Sequence, residues 1–110
     1  AARARPGAQM FANRLAKNLR ELAAWASRER IACYRLYDAD MPEYAFALDL
    51  YRSAASPDAR RWLLVQEYAP PASVDRDRAR ARREEVLSVL TEVTGVAPED
   101  VYMRTRRPQK

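Results

Sequence analysis

The sequence contains no histidine, the side chain that most often acts as general base near neutral pH and most often ligates transition metals. It has only two glycines, Gly7 and Gly95, so neither a Walker-type phosphate loop nor a GxGxxG nucleotide turn can be placed on it. A lone cysteine, Cys33, cannot close an internal disulfide, and the expected compartment is the reducing cytoplasm. Cys33 lies in an aromatic run that reads as a strand. Without a histidine partner it is expected to be a buried structural thiol rather than a nucleophile. No apolar stretch approaches the roughly 20 residues that cross a bilayer. Arg3 and Arg5 are not followed by the apolar run of a signal peptide, so no membrane association is expected.

What is present fits one folded domain. The chain has 110 residues, 48% hydrophobic and 32% charged, a balance typical of globular rather than disordered chains. Lysine and arginine total 20 against 15 acidic residues, a net charge of +5. Only Lys17 and Lys110 are lysines, so 18 of the 20 cations are arginines. Arginine binds phosphate bidentately and stacks on bases, which suits an acidic polymer as partner. A coding bias toward arginine and alanine explains the same composition, so charge by itself leaves the partner open.

Residues 1–8 contain Pro6 and Gly7, show no period and read as a linker; residues 9–110 read as a single domain. From Gln9 to about Arg30, Phe11, Leu15, Leu19, Leu22 and Trp25/Ala26 recur at helical steps, while Arg14, Lys17, Glu21 and Arg28 occupy a separate stripe. Residues 32–37 then read as a strand. A turn with Asp38, Asp40, Pro42 and Glu43 follows, because proline is excluded from a sheet interior. Residues 44–51 alternate Tyr44, Phe46, Leu48 and Leu50 on one face with Ala45, Ala47, Asp49 and Tyr51 on the other. A loop over residues 53–60 precedes a third strand, 62–68, which Pro70 and Pro71 stop. Ser73 or Asp75 is the expected N-cap of a second helix reaching Thr94, with Ala79, Val86, Leu87, Leu90 and Val93 as its buried stripe and Gly95 as its stop. Residues 101–106 form the last strand. The expected fold is α+β: a mostly antiparallel sheet of about four strands covered by two helices, in the order helix, three strands, helix, strand. Trp25 and Trp62 are assigned to the core between helices and sheet.

No catalytic set emerges from these residues. Asp38, Asp40 and Glu43 could bind a cation or accept a proton, yet aspartate and proline are ordinary turn formers and a solvated turn is the simpler expectation. Asp49 is equally ambiguous. No catalytic, cofactor-binding or metal-binding residue is assigned.

Three segments carry a resemblance: residues 10–51, with MFANRL and CYRLYDADMPEYA; residues 65–71, VQEYAPP; and residues 101–110, VYMRTRRPQK. Together they resemble the ribosomal RNA large subunit methyltransferase K/L family, bifunctional enzymes that modify guanines of 23S rRNA. The likeness lies in the N7-guanine-methylating half, just before its catalytic Rossmann-like domain. It implies a cytoplasmic, S-adenosylmethionine-dependent parent enzyme acting on ribosomal RNA, with this segment as an accessory domain beside the catalytic fold. The family's cofactor and catalytic motifs lie beyond Lys110, so the segment alone is expected to be inactive. Residues 53–61 form a longer connection than the family's usual one and read as a tolerated surface insertion.

Under that resemblance the expected RNA contacts are Arg14, Lys17 and Arg28 on the first helix and Arg104, Arg106, Arg107 and Lys110 at the end of the last strand. Arg20 could join the first group. The same helix residues are also what any solvated amphipathic face would carry. Residues Arg76, Arg78, Arg80, Arg82 and Arg83 alternate with acids and read first as helical ion pairs. Tyr34, Tyr37, Tyr44 and Tyr51 could stack on unpaired bases, but strand aromatics are mostly core, so one or two at most are expected at an RNA surface. Two rival readings remain: a structural or protein-interaction module that buttresses the catalytic domain without touching RNA, and a self-sufficient enzyme using the acidic turn.

Overall fold

The computed structural model describes residues 6–56, 58–68 and 75–106. Helix α1 (Pro6–Glu29) leads into strands β1 (Tyr34–Asp38), β2 (Phe46–Arg52) and β3 (Arg61–Tyr68). Helix α2 (Arg76–Thr94), a short 3-10 turn (Pro98–Asp100) and strand β4 (Val101–Arg106) complete the chain. The sheet order is β1-β2-β3-β4. The first three strands are antiparallel, while β4 runs parallel to β3, and α2 is the crossover that such a connection requires. The α+β class and the order of elements are those the sequence predicts.

Both helices cover one face of the sheet. Leu36, Phe46, Leu48, Leu50, Leu63 and Val65 meet Phe11 and Leu15 of α1 and Val86, Val89 and Leu90 of α2 in a single buried cluster. Phe11 is its aromatic centre: its ring stacks on Tyr44 at 4.7 Å and meets Tyr37 and Phe46 edge-on at 5.2 and 5.3 Å. Alternation along β2 and β3 turns the intervening residues away from the helices, leaving an open face.

Several expectations are corrected. Helix α1 begins at Pro6, not Gln9, and Ala8 is already core; proline's fixed φ suits a first helical turn, where its missing N–H costs nothing. The helix ends with Arg30 at φ 54°, where the N–H of Ile31 donates to the Ala26 carbonyl at 2.8 Å, a closure in which glycine is usual. Strand β1 starts at Tyr34, so Cys33 is neither in a strand nor buried; its thiol is exposed and donates to the Arg52 carbonyl at 3.8 Å. Trp25 is 37% exposed rather than core. It lies about 100° around the helix from buried Ala26 and meets Tyr34 edge-on at 6.2 Å. Trp62 is half-buried on the open face, because the neighbouring Leu63 takes the core position. The inner stripe of α2 is Val86, Val89, Leu90 and Thr94, with Leu87 only half-buried. Asp75 is the N-cap, accepting from the Asp77 N–H at 3.1 Å, and Gly95 closes the helix at φ 76°.

Candidate nucleic-acid interface

The open face is read directly from strand register. Tyr102, Leu64, Asp49 and Arg35 lie in one row across β4 to β1; Arg104, Gln66, Ala47 and Asp38 lie in the next. Arg106 sits beside Tyr68, and Trp62 beside Tyr51. In-register neighbours on paired strands project to the same side, so these side chains share one surface.

The β1–β2 half of that surface is occupied by its own bonds. Arg35 Nε donates to Asp49, its Nη2 donates to Asp49 Oδ2 at 3.3 Å, and its Nη1 donates to Asp38 Oδ2 at 3.2 Å. The hydrogen bond to Asp49, supported by both carboxylates, raises the guanidinium pKa further. Tyr68 reaches over from β3 and donates its hydroxyl to Asp38 Oδ1 at 3.1 Å. Beneath these long side chains Ala47 is 1% exposed although it faces outward.

The acidic turn is likewise tied into the fold. Asn18 of α1 donates to Asp40 Oδ2 at 3.0 Å and to the Leu36 carbonyl at 3.1 Å. The Tyr37 hydroxyl donates to the Tyr44 carbonyl at 2.8 Å and accepts from the Met41 N–H at 3.1 Å. Burial raises the Tyr37 pKa, as it does that of half-buried Tyr34. Among the described residues no group of three or more metal-ligating side chains converges. Asp38, Asp40 and Asp49 therefore have architectural partners, and no reaction is assigned to them.

The β3–β4 half is different. Arg104 and Arg106 are exposed and have no ion-pair partner among the described residues. Their Cα atoms are about 6.6 Å apart along one strand. None of the outward positions on β3 and β4 (Trp62, Leu64, Gln66, Tyr68, Tyr102, Arg104 and Arg106) carries an acid. The acid of β3, Glu67, points to the helix side and pairs with Arg83 at 3.8 Å. Arg107 and Lys110, expected to extend this patch, lie outside the described residues.

Arg14, Lys17 and Arg28 are exposed on α1, as is Arg20. They do not join Arg104 and Arg106. Helix α1 lies over β1, the edge opposite β4, and on the other side of the sheet. The cations expected to act together thus form two separate surfaces, because a helix layer and a sheet edge that are close in function on paper are separated by the thickness of the core. Arg82 and Arg83 turn to the sheet rather than serving only as helical charge. Arg82 donates to the Glu43 carbonyl at 3.0 Å and lies 4.8 Å over the Tyr44 ring.

Of the four tyrosines considered, Tyr37 and Tyr44 are core and Tyr34 is half-buried, while Tyr51 is 41% exposed. Sequence reasoning overlooked Tyr102, which is 56% exposed, and misplaced Trp62. The alternation of Trp62, Leu64 and Gln66 against Leu63 and Val65 was the available signal for Trp62. Neither glycine fits a methyl-donor turn: Gly7 lies inside α1 against the Tyr44 hydroxyl, and Gly95 is a helix C-cap. The described residues do not fit an S-adenosylmethionine site, and no step of methyl transfer is assigned to this chain. No helix among them is long and apolar enough to cross a membrane.

No protein-family model matches the chain. Curated relatives do. A protein of Stutzerimonas stutzeri named Ribosomal RNA large subunit methyltransferase K/L is 55% identical over 108 residues, 98% of this chain and 14% of the relative. Proteins of the same name from Pseudomonas putida and Allochromatium vinosum are 53% and 54% identical over 98% and 96% of the chain, again 14% of each relative. The chain therefore spans about one-seventh of the length of the curated relatives it matches. Along nearly its whole length this chain is homologous to one segment of the ribosomal RNA large subunit methyltransferase K/L family.

Proposed function

We propose that the chain is an RNA-orienting accessory domain of an S-adenosylmethionine-dependent 23S rRNA guanine methyltransferase. It works in the cytoplasm beside a catalytic domain that holds the cofactor and performs the transfer. The domain contributes cationic surface and part of the substrate cleft, so that a guanine is presented to its neighbour already positioned. The observation that carries this reading is the exposed pair Arg104 and Arg106 on an acid-free half of the sheet. Unpaired arginines held on a strand give up little conformational freedom when they meet phosphate, and their desolvation is not already spent on a carboxylate.

The expected binding is weak and tolerant of sequence, with a dissociation constant on the order of 10⁻⁴–10⁻⁶ M for a small module making few phosphate contacts. Affinity for structured rRNA fragments should fall with added salt. In the double variant Arg104→Glu, Arg106→Glu it should be lost, or retained only with a log–log salt slope shallower by about 1.5–2. Equal binding by parent and variant at every salt concentration would remove these residues from the interface. The structural reading, a module that buttresses the catalytic domain, would then be preferred; exposed Met103 on the edge strand is the feature that favours it.

A further inference from the structure

Beyond its two cations, the open face carries an aromatic row that the proposed function does not use. Tyr51 of β2 lies directly opposite Trp62 of β3, and Tyr102 of β4 lies opposite Leu64, two residues along from Trp62. Facing residues on paired strands stand about 5 Å apart and diagonal ones about 7–8 Å, so the three rings form an oblique line across three strands. Most aromatic side chains of a small domain are buried, as Phe11, Tyr37, Tyr44 and Phe46 are here. Tyr102 and Tyr51 instead rank among the most exposed large apolar residues of the chain.

Burial does not explain the exposed rings of Tyr51 and Tyr102. Trp62 is half-buried, and the Arg60 guanidinium, paired with Asp100 at 3.4 Å, lies 4.9 Å over its ring and brings a cation to that end of the row. Leu64 fills the floor between Trp62 and Tyr102. Arg104 and Arg106 continue the line of Tyr102 along the same strand and the same side. A run of π-surfaces with cations along one margin, and with the neighbouring acids Asp49 and Asp100 paired to Arg35 and Arg60, matches an unpaired nucleic-acid strand. Bases stack on aromatic rings and guanidinium planes, while phosphates follow the cations. Duplex RNA offers phosphates but keeps its base faces inside the helix, so it cannot use the rings.

We infer that the open sheet face, along Tyr51, Trp62 and Tyr102 and flanked by Arg104 and Arg106, is a stacking platform for a single-stranded RNA segment. This rests on the RNA-binding reading above and goes further, because it specifies the strandedness of the partner and the part of the nucleotide that is held. Tyr102 is the principal stacking residue and Trp62 the central one.

The chain carries its own reporter. Its two tryptophans lie on different surfaces, Trp25 on α1 and Trp62 on the open face. The change Trp25→Phe keeps the ring contact with Tyr34 and leaves Trp62 as the sole indole. That variant is titrated with an unstructured eight-nucleotide RNA and with a hairpin duplex of equal phosphate number. Saturable quenching of Trp62 by the single strand, little quenching by the duplex, and a loss of roughly 5- to 150-fold in single-strand affinity for Tyr102→Ala are expected. Tyr102→Phe should restore binding, since the ring and not the hydroxyl does the stacking. Equal binding of both RNAs without quenching, unchanged in Tyr102→Ala, would overturn the platform while leaving the phosphate-binding reading intact. Absence of binding to either RNA by a chain with a native far-UV spectrum would overturn both. A Trp62 signal that responds to a purified catalytic domain and not to RNA would make this face a protein interface and would overturn the platform too.

Discussion

The two faces of one sheet obey different rules in this domain. On the helix side the central strand residues Leu48, Leu50, Leu63 and Val65 are apolar and buried, and the aromatic rings there meet one another at 4.7–5.3 Å. On the open side large side chains lie over strands with no helix above them among the described residues, and that face is itself divided. The half nearest β1 has satisfied its charges internally through Arg35, Asp38, Asp49 and Tyr68. The half nearest β4 has not. A charge with partners reports architecture, whereas a charge or ring left unpartnered on a rigid strand reports something the domain meets.

The contrast can be attacked from its strongest side first. Phe11→Ala removes the ring on which Tyr37, Tyr44 and Phe46 converge, and should cost about 3–5 kcal/mol, enough to leave a small domain largely unfolded in a urea titration. Tyr37→Phe keeps the ring but leaves the Tyr44 carbonyl and the Met41 N–H without their buried partner, an expected loss of about 1–2 kcal/mol. The same residue gives a pH signature. Burial raises the Tyr37 pKa above 10.0, so the folded state holds its proton longer than the unfolded chain. Its contribution is fully present below that value and is lost as pH rises past it. The melting temperature of the parent should therefore fall above about pH 10 more steeply than that of Tyr37→Phe.

On the open face the expected stability effects shrink. Arg35→Ala breaks the pairing with Asp38 and Asp49, both part of an exposed network, and should cost no more than about 1 kcal/mol. The double change Arg104→Glu, Arg106→Glu should shift stability by less than about 0.5 kcal/mol in a thermal melt. A large destabilisation by the last variant would mean that the β4 half has structural partners after all, and the division of the open face would fail.

Much of this was readable in the chain. Period-two alternation through residues 44–51, helical spacing from Phe11 to Ala26, and Gly95 and Asp75 as helix ends are local signals, so the elements and their order follow from neighbours in sequence. The errors fall where a neighbour in space decides. The aromatic run ACYRLY predicts a strand that includes Cys33, but pairing with β2 begins only at Tyr34. Trp25 and Trp62 read as core residues joining helices and sheet, but the register of Leu63 and the phase of Ala26 take the inward positions.

By itself the sequence determined the α+β class, the inward face of β2 and the surplus of arginine, because periodicity and composition are properties of contiguous residues. Only the tertiary structure decided that β4 joins β3 in parallel at the edge, and that Arg104 and Arg106 stand on the opposite side of the molecule from Arg14 and Lys17. It also decided that Tyr102 completes a row begun by Tyr51 and Trp62. Strand partnership across the 32 residues between Tyr68 and Val101 is chosen by which edge the crossover helix can reach while burying Val86, Val89 and Leu90, a long-range condition that no local pattern encodes.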